Sequence, residues 1–389
     1  GVIDSYQDTK HSDLDGKYLW YKDYVDVEDG TKDAKGNELG TVANLGHKIS
    51  HGSSVAGIIA GNKDGEGIHG VAYDAKLVGA NADYVGSGSI NMSYADKALH
   101  HMVKLKDTKA NGGENINLVA INMSYNKDNN FLGRAYGDIT KLSDGTYSAT
   151  AITSKINNNN GARYYKVATD NNIILVNSAG NVLQLEDGTE NYDFALSPGL
   201  FATETDSSGN LVLGGKMIIA GYWVGTKENG YVVGNKAGHV CLDIVDNKCN
   251  DKYRISDFYI LAPGNTMSLA SGGGLVAANG SSFSAPQVTG ALGILHQMWP
   301  HMKSENLVKL VLNTADKDIN NYDVNIHGQG MLDLDEATKP QGAIGIATDG
   351  RVDGIVNTKL FERTYFETAN PSAFASLSGL QIMVIDGYD

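Results

Sequence analysis

Four short apolar runs constrain this chain most: Leu118 to Ser124, Ile173 to Asn181, Met217 to Gly221 and Phe258 to Gly264. They are strand-length and do not alternate with polar residues, so they read as strands buried on both faces, the pattern of a parallel sheet covered by helices. Helical spacing or small-residue composition marks the segments between and after them: Val55 to Gly61, Ile90 to Leu105, Val288 to Trp299 and Asn306 to Asn313. Strands alternating with helices imply an α/β fold, a mostly parallel sheet with right-handed crossovers and helices on its faces. Ala75 to Ala80 supplies another strand. Val2-Ile3-Asp4-Ser5 reads as the tip of one more; it is shorter than the usual about five residues, so part of it is expected upstream. Residues 16–50 read as polar and irregular, 126–160 as an Asn-rich insertion, and 183–215 as loop around Pro198.

With 389 residues and 41% apolar content, the expectation is one large domain over 1–340 and a short β-rich extension over 341–389, continuing downstream. In that extension Gly354 to Asn357 and Leu380 to Ile385 read as strands. The net charge of -14 argues against nucleic acid and against an anionic membrane surface, both of which select for Lys and Arg. No apolar run reaches the roughly 18 residues that span a bilayer. The start, Gly1-Val2-Ile3-Asp4, is no basic-then-apolar leader, so a signal or pro-segment is expected to have been removed or to lie outside this sequence. Cys241 and Cys249 enclose seven residues. Without a CxxC or clustered His, metal binding is disfavoured, leaving a disulfide closing a small loop in an oxidising compartment, the preferred reading, or two free thiols.

Against this framework Gly280-Ser281-Ser282-Phe283-Ser284-Ala285-Pro286 stands out, because it sets hydroxyl residues at a loop-to-helix junction. A helix start offers unpaired amides and a positive dipole end, suited to a developing oxyanion. A serine there is equally an ordinary N-cap. His51 precedes the helix Val55 to Gly61 and could by itself be a cap or a core residue. Asp4 and Asn181 close two of the strands. Together the four make a set: a serine, a base to take its proton, a carboxylate to orient the base, and an amide donor for the oxyanion.

In these motifs the sequence resembles the subtilisin-like serine proteases, or subtilases, over about residues 2–340. The matching segments are Val2-Ile3-Asp4-Ser5, His51-Gly52-Ser53-Ser54-Val55-Ala56-Gly57, Ser178-Ala179-Gly180-Asn181 and Gly280 to Pro286. The order Asp, His, Ser is the one known for subtilisin. The resemblance implies the subtilisin-like three-layer fold and an endopeptidase acting through an acyl-enzyme. It makes Ser282 the nucleophile, His51 the general base, Asp4 its orienter, and Asn181 with the Ser282 N–H the oxyanion donors. It implies that Ser124-Tyr125-Asn126 pairs with the substrate backbone as an added strand, and that Ser178-Ala179-Gly180 forms a wall of the primary pocket. Two departures concern specificity: Tyr6 stands where the family usually has Gly, and Tyr125-Asn126 where it usually has Leu-Gly or Phe-Gly.

A finer similarity, to the autotransporter subtilases of Gram-negative bacteria, rests on Gly328-Gln329-Gly330-Met331-Leu332-Asp333 followed by Ala337 and Pro340. The cysteine loop before Leu261-Ala262-Pro263 and the strand-like extension after 340 fit it. It implies an extracellular or cell-surface monomer made with a cleaved pro-segment and a C-terminal outer-membrane barrel, acting on protein or peptide substrates. No cofactor is expected for catalysis. The loop Asn62 to Ile68 has the length of the family's calcium loop, with Asp13 and Asp64 as side-chain ligands and the carbonyls of Asn62, Glu66 and Ile68 completing an oxygen shell. The alternative to calcium is a solvated acidic turn. The rival function is an adhesive or binding passenger on the same scaffold with little catalysis. An α/β-hydrolase esterase is disfavoured because Ser282 lacks a Gly-x-Ser-x-Gly elbow and the order would be Ser, Asp, His.

Overall fold

In the computed structural model the described residues are 1–24, 51–83, 90–110, 112–125, 161–184, 190–192, 196–223, 254–270 and 272–342. Short strand segments are also described within 139–149, 226–249, 345–346 and 384–385, together with Tyr388.

Seven strands form the central sheet: β1 Val2–Asp4, β2 Tyr18–Asp23, β3 Leu77–Asn81, β4 Ala120–Met123, β5 Ile174–Ser178, β6 Met217–Trp223 and β7 Tyr259–Pro263. Their order is β7-β6-β5-β4-β1-β3-β2, and every pairing is parallel. Successive side chains of a strand face opposite sides. Ile3, Ile121, Leu175 and Ile219 accordingly pack into one apolar cluster, with α2 Met92–Leu105, α3 Ala162–Asp170 and Phe201 of α4 Leu196–Thr203. Ala120, Ile174, Val176 and Ile218 pack on the other face, under α5 Ser281–Met298 and α6 Ser304–Asn313. On that same face Val2 and Leu77 pack under α1 His51–Ala60. Being covered on both sides is why the apolar runs show no alternation. The result is the expected three-layer subtilisin-like arrangement.

Three segments differ from the sequence expectation. Tyr18–Asp23, within the stretch expected to be irregular, is the edge strand β2; none of its residues is fully buried, so it carries no apolar face to read. Residues 183–215 are not all loop: Val182–Gln184 pairs with Glu190–Tyr192, and α4 contains Pro198 in its first turn, where a missing N–H costs no helical hydrogen bond. The approach to Ser282 is a hairpin, β8 Asn265–Leu269 with β9 Leu275–Asn279, turning through Gly272-Gly273-Gly274. Most of the expected 126–160 insertion, most of 341–389, Asn126 and Cys241 lie outside the described residues; Cys249 lies in a short strand paired with Ile244. Gly345–Ile346 pairs with Val384–Ile385, and the Tyr388 hydroxyl accepts from Asn313 Nδ2 of α6 at 2.8 Å.

Gly328 to Leu332 has a structural place as well. It runs along the free edge of β7, where the Leu261 N–H donates to the Gly330 carbonyl at 2.8 Å and the Leu332 N–H to the Leu261 carbonyl at 2.7 Å. Asp333 then caps the short helix Leu334–Ala337 by accepting from the Glu336 N–H at 2.9 Å.

Candidate active site

In a parallel sheet all the C-terminal strand ends lie along one edge, where open α/β folds gather their chemistry. Asp4 ends β1, Ser124 follows β4, and Ser178 to Asn181 closes β5; the N-termini of α1 and α5 meet the same edge. Four residues far apart in sequence thereby share one site.

His51 and Asp4 are joined directly, with His51 Nδ1 2.7 Å from Asp4 Oδ1. A carboxylate only accepts, so the proton sits on Nδ1 and the Nε2 lone pair is left for a substrate-side proton. The Ser5 N–H also donates to Oδ1 at 2.7 Å, while Oδ2 is buried without a hydrogen-bond partner among the described residues. Burial works to depress the His51 pKa, but the charge of Asp4 and its hydrogen bond outweigh that, and the net shift is upward from 6.5.

Close packing of α1 on β1 makes the bond possible. A Cβ on Gly52 would collide with the Ser5 carbonyl oxygen and lie 2.7 Å from that of Tyr6, and the Gly52 N–H donates to Ser5 Oγ at 3.1 Å. Deeper in, Ser54 Oγ donates to the Leu269 carbonyl at 2.7 Å and Ser268 Oγ to the Ser54 carbonyl at 2.9 Å. The helix carrying His51 is therefore fastened to the hairpin that leads to Ser282.

Gly280, at φ 126°, turns the chain from β9 into α5, and the helix starts at Ser281. The Ser281 N–H donates to Asn181 Oδ1 at 2.8 Å. A backbone N–H can bond only the oxygen of an amide, so this contact fixes which end of Asn181 is Nδ2. Asn181 is exposed, as an oxyanion donor must be. Ser281 Oγ accepts from the Gly180 N–H at 3.1 Å, tying the β5 exit to the same turn. Ser281 and Ser284 are buried, whereas Ser282 is only half-buried. The Ser282 hydroxyl donates to the Ser124 carbonyl at 3.4 Å, and Ser124 Oγ donates back to the Ser282 carbonyl at 2.7 Å. The Phe283 ring lies 5.3 Å from the His51 ring.

Of the expected substrate-binding residues, Ser178, Ala179 and Gly180 line the β5 exit, all buried. Tyr125 packs its ring against the apolar core, where burial raises its hydroxyl pKa well above 10, and its carbonyl accepts from Asn177 Nδ2 at 2.8 Å. The expected calcium ligands divide. Asp13 is buried against the loop, its carbonyl accepting from the Asn62 N–H at 2.7 Å and its Oδ2 from the Ile68 N–H at 3.0 Å. Asp64 is exposed and accepts from the Glu66 N–H in its own turn at 3.0 Å. Among the described residues no three His, Cys, Asp or Glu side chains converge as a metal cluster.

The Gly52 contact, the Ser54–Ser268 clamp and the Ser124–Ser282 pair were not anticipated from sequence. Only the last had a signal: Pro286 stands four residues after Ser282, where a helix would otherwise supply the Ser282 carbonyl with an N–H.

Comparison with known proteins agrees with the geometry. Fervidolysin of Fervidobacterium pennivorans is 26% identical over 346 residues, 86% of this chain and 40% of that protein. The chain thus spans less than half the length of that relative. Among solved structures, the prenylagaramide maturation protease PagA matches with a TM-score of 0.50 at 17% identity, covering 86% of this chain and 90% of that one. A mutant of the protease domain of PatA matches with a TM-score of 0.50 at 16% identity, covering 86% and 92%. At those identities the likeness concerns the fold alone. A sequence profile of the subtilase family, by contrast, matches residues 1–331. The chain belongs to the subtilase family.

Proposed function

We propose that this chain is a serine endopeptidase, secreted or displayed at the cell surface, that cleaves protein or peptide substrates through Ser282, His51 and Asp4. The observation that carries the proposal is the 2.7 Å bond from His51 Nδ1 to Asp4, on the strand edge where Ser282 lies in the first turn of α5, next to Ser281, whose N–H is bonded to Asn181.

In the proposed reaction Ser282 Oγ turns from the Ser124 carbonyl toward His51 and attacks the scissile carbonyl carbon as Nε2 takes its proton. The imidazolium that forms is stabilised by the Asp4 carboxylate. The tetrahedral oxyanion is met by Asn181 Nδ2 and the Ser282 N–H, donors fixed before the charge develops. His51 then protonates the leaving amine, the acyl-enzyme remains on Ser282, and a water repeats the sequence to release the acid. Because the His51 pKa is raised, activity should climb with pH on an acid limb above 6.5.

Casein cleavage by the wild type that disappears in Ser282→Ala supports this reading. Wild-type protein that is folded yet inert favours the rival, an adhesive passenger on the same scaffold.

Three finer proposals accompany it. Similarity of Gly328 to Asp333 to the autotransporter group supports a passenger domain on a Gram-negative cell; the natural gene would then encode an outer-membrane barrel downstream. Cys241 and Cys249 would form a disulfide, seen as a two-proton mass difference on reduction. Asp13 and Asp64, with the carbonyls of Asn62, Glu66 and Ile68, would hold a calcium ion. Absence of binding heat and of a rise in melting temperature when Ca²⁺ is added to chelator-treated protein would remove that proposal.

A further inference from the structure

Pro286 lies in the second turn of α5, and its ring nitrogen has no hydrogen to donate. In an unbroken helix the N–H of residue 286 would bond the carbonyl of residue 282. The Ser282 carbonyl therefore lacks its regular helical partner. It is satisfied from outside the helix, by Ser124 Oγ at 2.7 Å. That hydroxyl is in turn aimed: Asn122 Nδ2 donates to Ser124 Oγ at 2.9 Å, so the Ser124 proton is directed away from Asn122 and onto the carbonyl. Asn122 is held by its other end, its Oδ1 accepting from Thr289 Oγ1 at 3.1 Å, while Thr289 Oγ1 also lies 3.0 Å from the Ala285 carbonyl one turn earlier in α5.

Asn122 is wholly buried, and Ser124 and Thr289 nearly so, at 4% and 6% exposure. The chain of hydrogen bonds begins and ends on α5 and passes through β4. Nothing in packing alone requires polar side chains at these positions, since the neighbouring Ala120 and Val288 fill the same interface with apolar groups. Buried polar groups of this kind, when fully paired, fix one arrangement of the backbone.

We infer that Ser124, aimed by Asn122 and Thr289, is a positioning residue that holds the Ser282 peptide group in its reactive geometry by replacing the hydrogen bond that Pro286 removes. The inference rests on Ser282 being the nucleophile. The Ser282 carbonyl and N–H belong to the turn that presents Oγ and one oxyanion donor, so a carbonyl left to find another partner would tilt both. A helix with a regular residue at 286 would hold this carbonyl along its own axis; the proline transfers control of it to the strand next to the substrate.

The test uses a small phosphonylating agent, diisopropyl fluorophosphate, which makes no contact with a substrate-binding strand. Its second-order rate of reaction at Ser282 is read by mass spectrometry for wild type, Ser124→Ala, and Ser124→Ala combined with Pro286→Ala, with melting temperatures alongside. Ser124→Ala should react about 5- to 30-fold more slowly, as expected for losing a hydrogen bond to a buried carbonyl, with the acid limb of its pH profile unmoved because His51 and Asp4 are untouched. Restoring an N–H at 286 should recover at least half of that loss. Ser124→Ala reacting within twofold of wild type would overturn the inference, as would Pro286→Ala adding a further independent loss. Wild-type protein that takes no label at Ser282 would instead overturn the proposed nucleophile, and this inference with it.

Discussion

Replacing Asp4 by Asn removes one charge while the local hydrogen bonds dictate how the new amide sits. Oδ1 receives two donors, the Ser5 N–H and His51 Nδ1, both at 2.7 Å, whereas Oδ2 has no partner among the described residues. The oxygen of the asparagine must take the Oδ1 position, and its NH₂ the other. His51 therefore keeps its tautomer and loses only the attraction of the carboxylate. For charge centres about 4 Å apart at an effective dielectric of about 20 that attraction is about 4 kcal/mol. The His51 side chain is 33% exposed, and screening by water brings the figure to about 2–3 kcal/mol. At 1.36 kcal/mol per decade the predicted loss in kcat is about 30- to 150-fold.

The pH dependence supplies a second reading. In the wild type burial depresses the His51 pKa but Asp4 outweighs it; in the variant the charge is gone and only the retained hydrogen bond opposes burial, so the acid limb of kcat/KM should move to lower pH. A folded-state pKa raised above the unfolded value stabilises the protein below the unfolded value, and that stability is lost as pH rises through the folded pKa. The gap in melting temperature between wild type and Asp4→Asn should accordingly narrow as pH rises from about 6 toward 9. The assay is hydrolysis of a fluorogenic peptide across that range. A loss near the roughly 10⁴-fold known for the trypsin-type triad, where the asparagine reverses the tautomer, would refute the role given to the Ser5 N–H. A loss below about fivefold, or an acid limb that stays put, would refute the electrostatic role of Asp4.

Three further perturbations address the supporting parts of the site. Asn181→Ala should lower kcat about 10²–10³-fold with KM nearly unchanged, a magnitude taken from the corresponding asparagine of subtilisin, a member of this family; steady-state kinetics on the same peptide reads it. Gly52→Ala forces a methyl onto the Ser5 and Tyr6 carbonyls, so melting temperature and kcat should fall together, whereas Gly61→Ala at the other end of α1 should leave the His51–Asp4 pKa signature in place. Leu269→Ala empties a fully buried site beside the hairpin clamp and should cost about 2–5 kcal/mol by chemical denaturation.

What could be read from the residues followed from how completely each element is buried. β4, β5, β6 and β7 were legible because both faces are covered, and α1 because its small residues pack tightly on the sheet. β2 was not, since an edge strand with no fully buried residue carries no apolar pattern, and α4 was hidden because Pro198 reads as loop unless its place in the first turn is known. At the site, motifs named positions that the fold then placed along one strand edge. The contacts that hold those positions still run between segments as distant as Ser54 and Ser268, and a small polar residue in sequence does not announce its partner.

Ser282, rather than Ser281 or Ser284, is the proposed nucleophile. Ser281 Oγ is committed to the Gly180 N–H and Ser284 Oγ donates to the Ala262 carbonyl at 2.9 Å, both buried. Incubation with a fluorophosphonate followed by peptide mapping should place a single adduct on Ser282, formed faster as pH rises through the His51 titration and absent in His51→Ala on the same timescale. A folded protein that gains no adduct, or gains it on Ser281 or Ser284, would contradict the account.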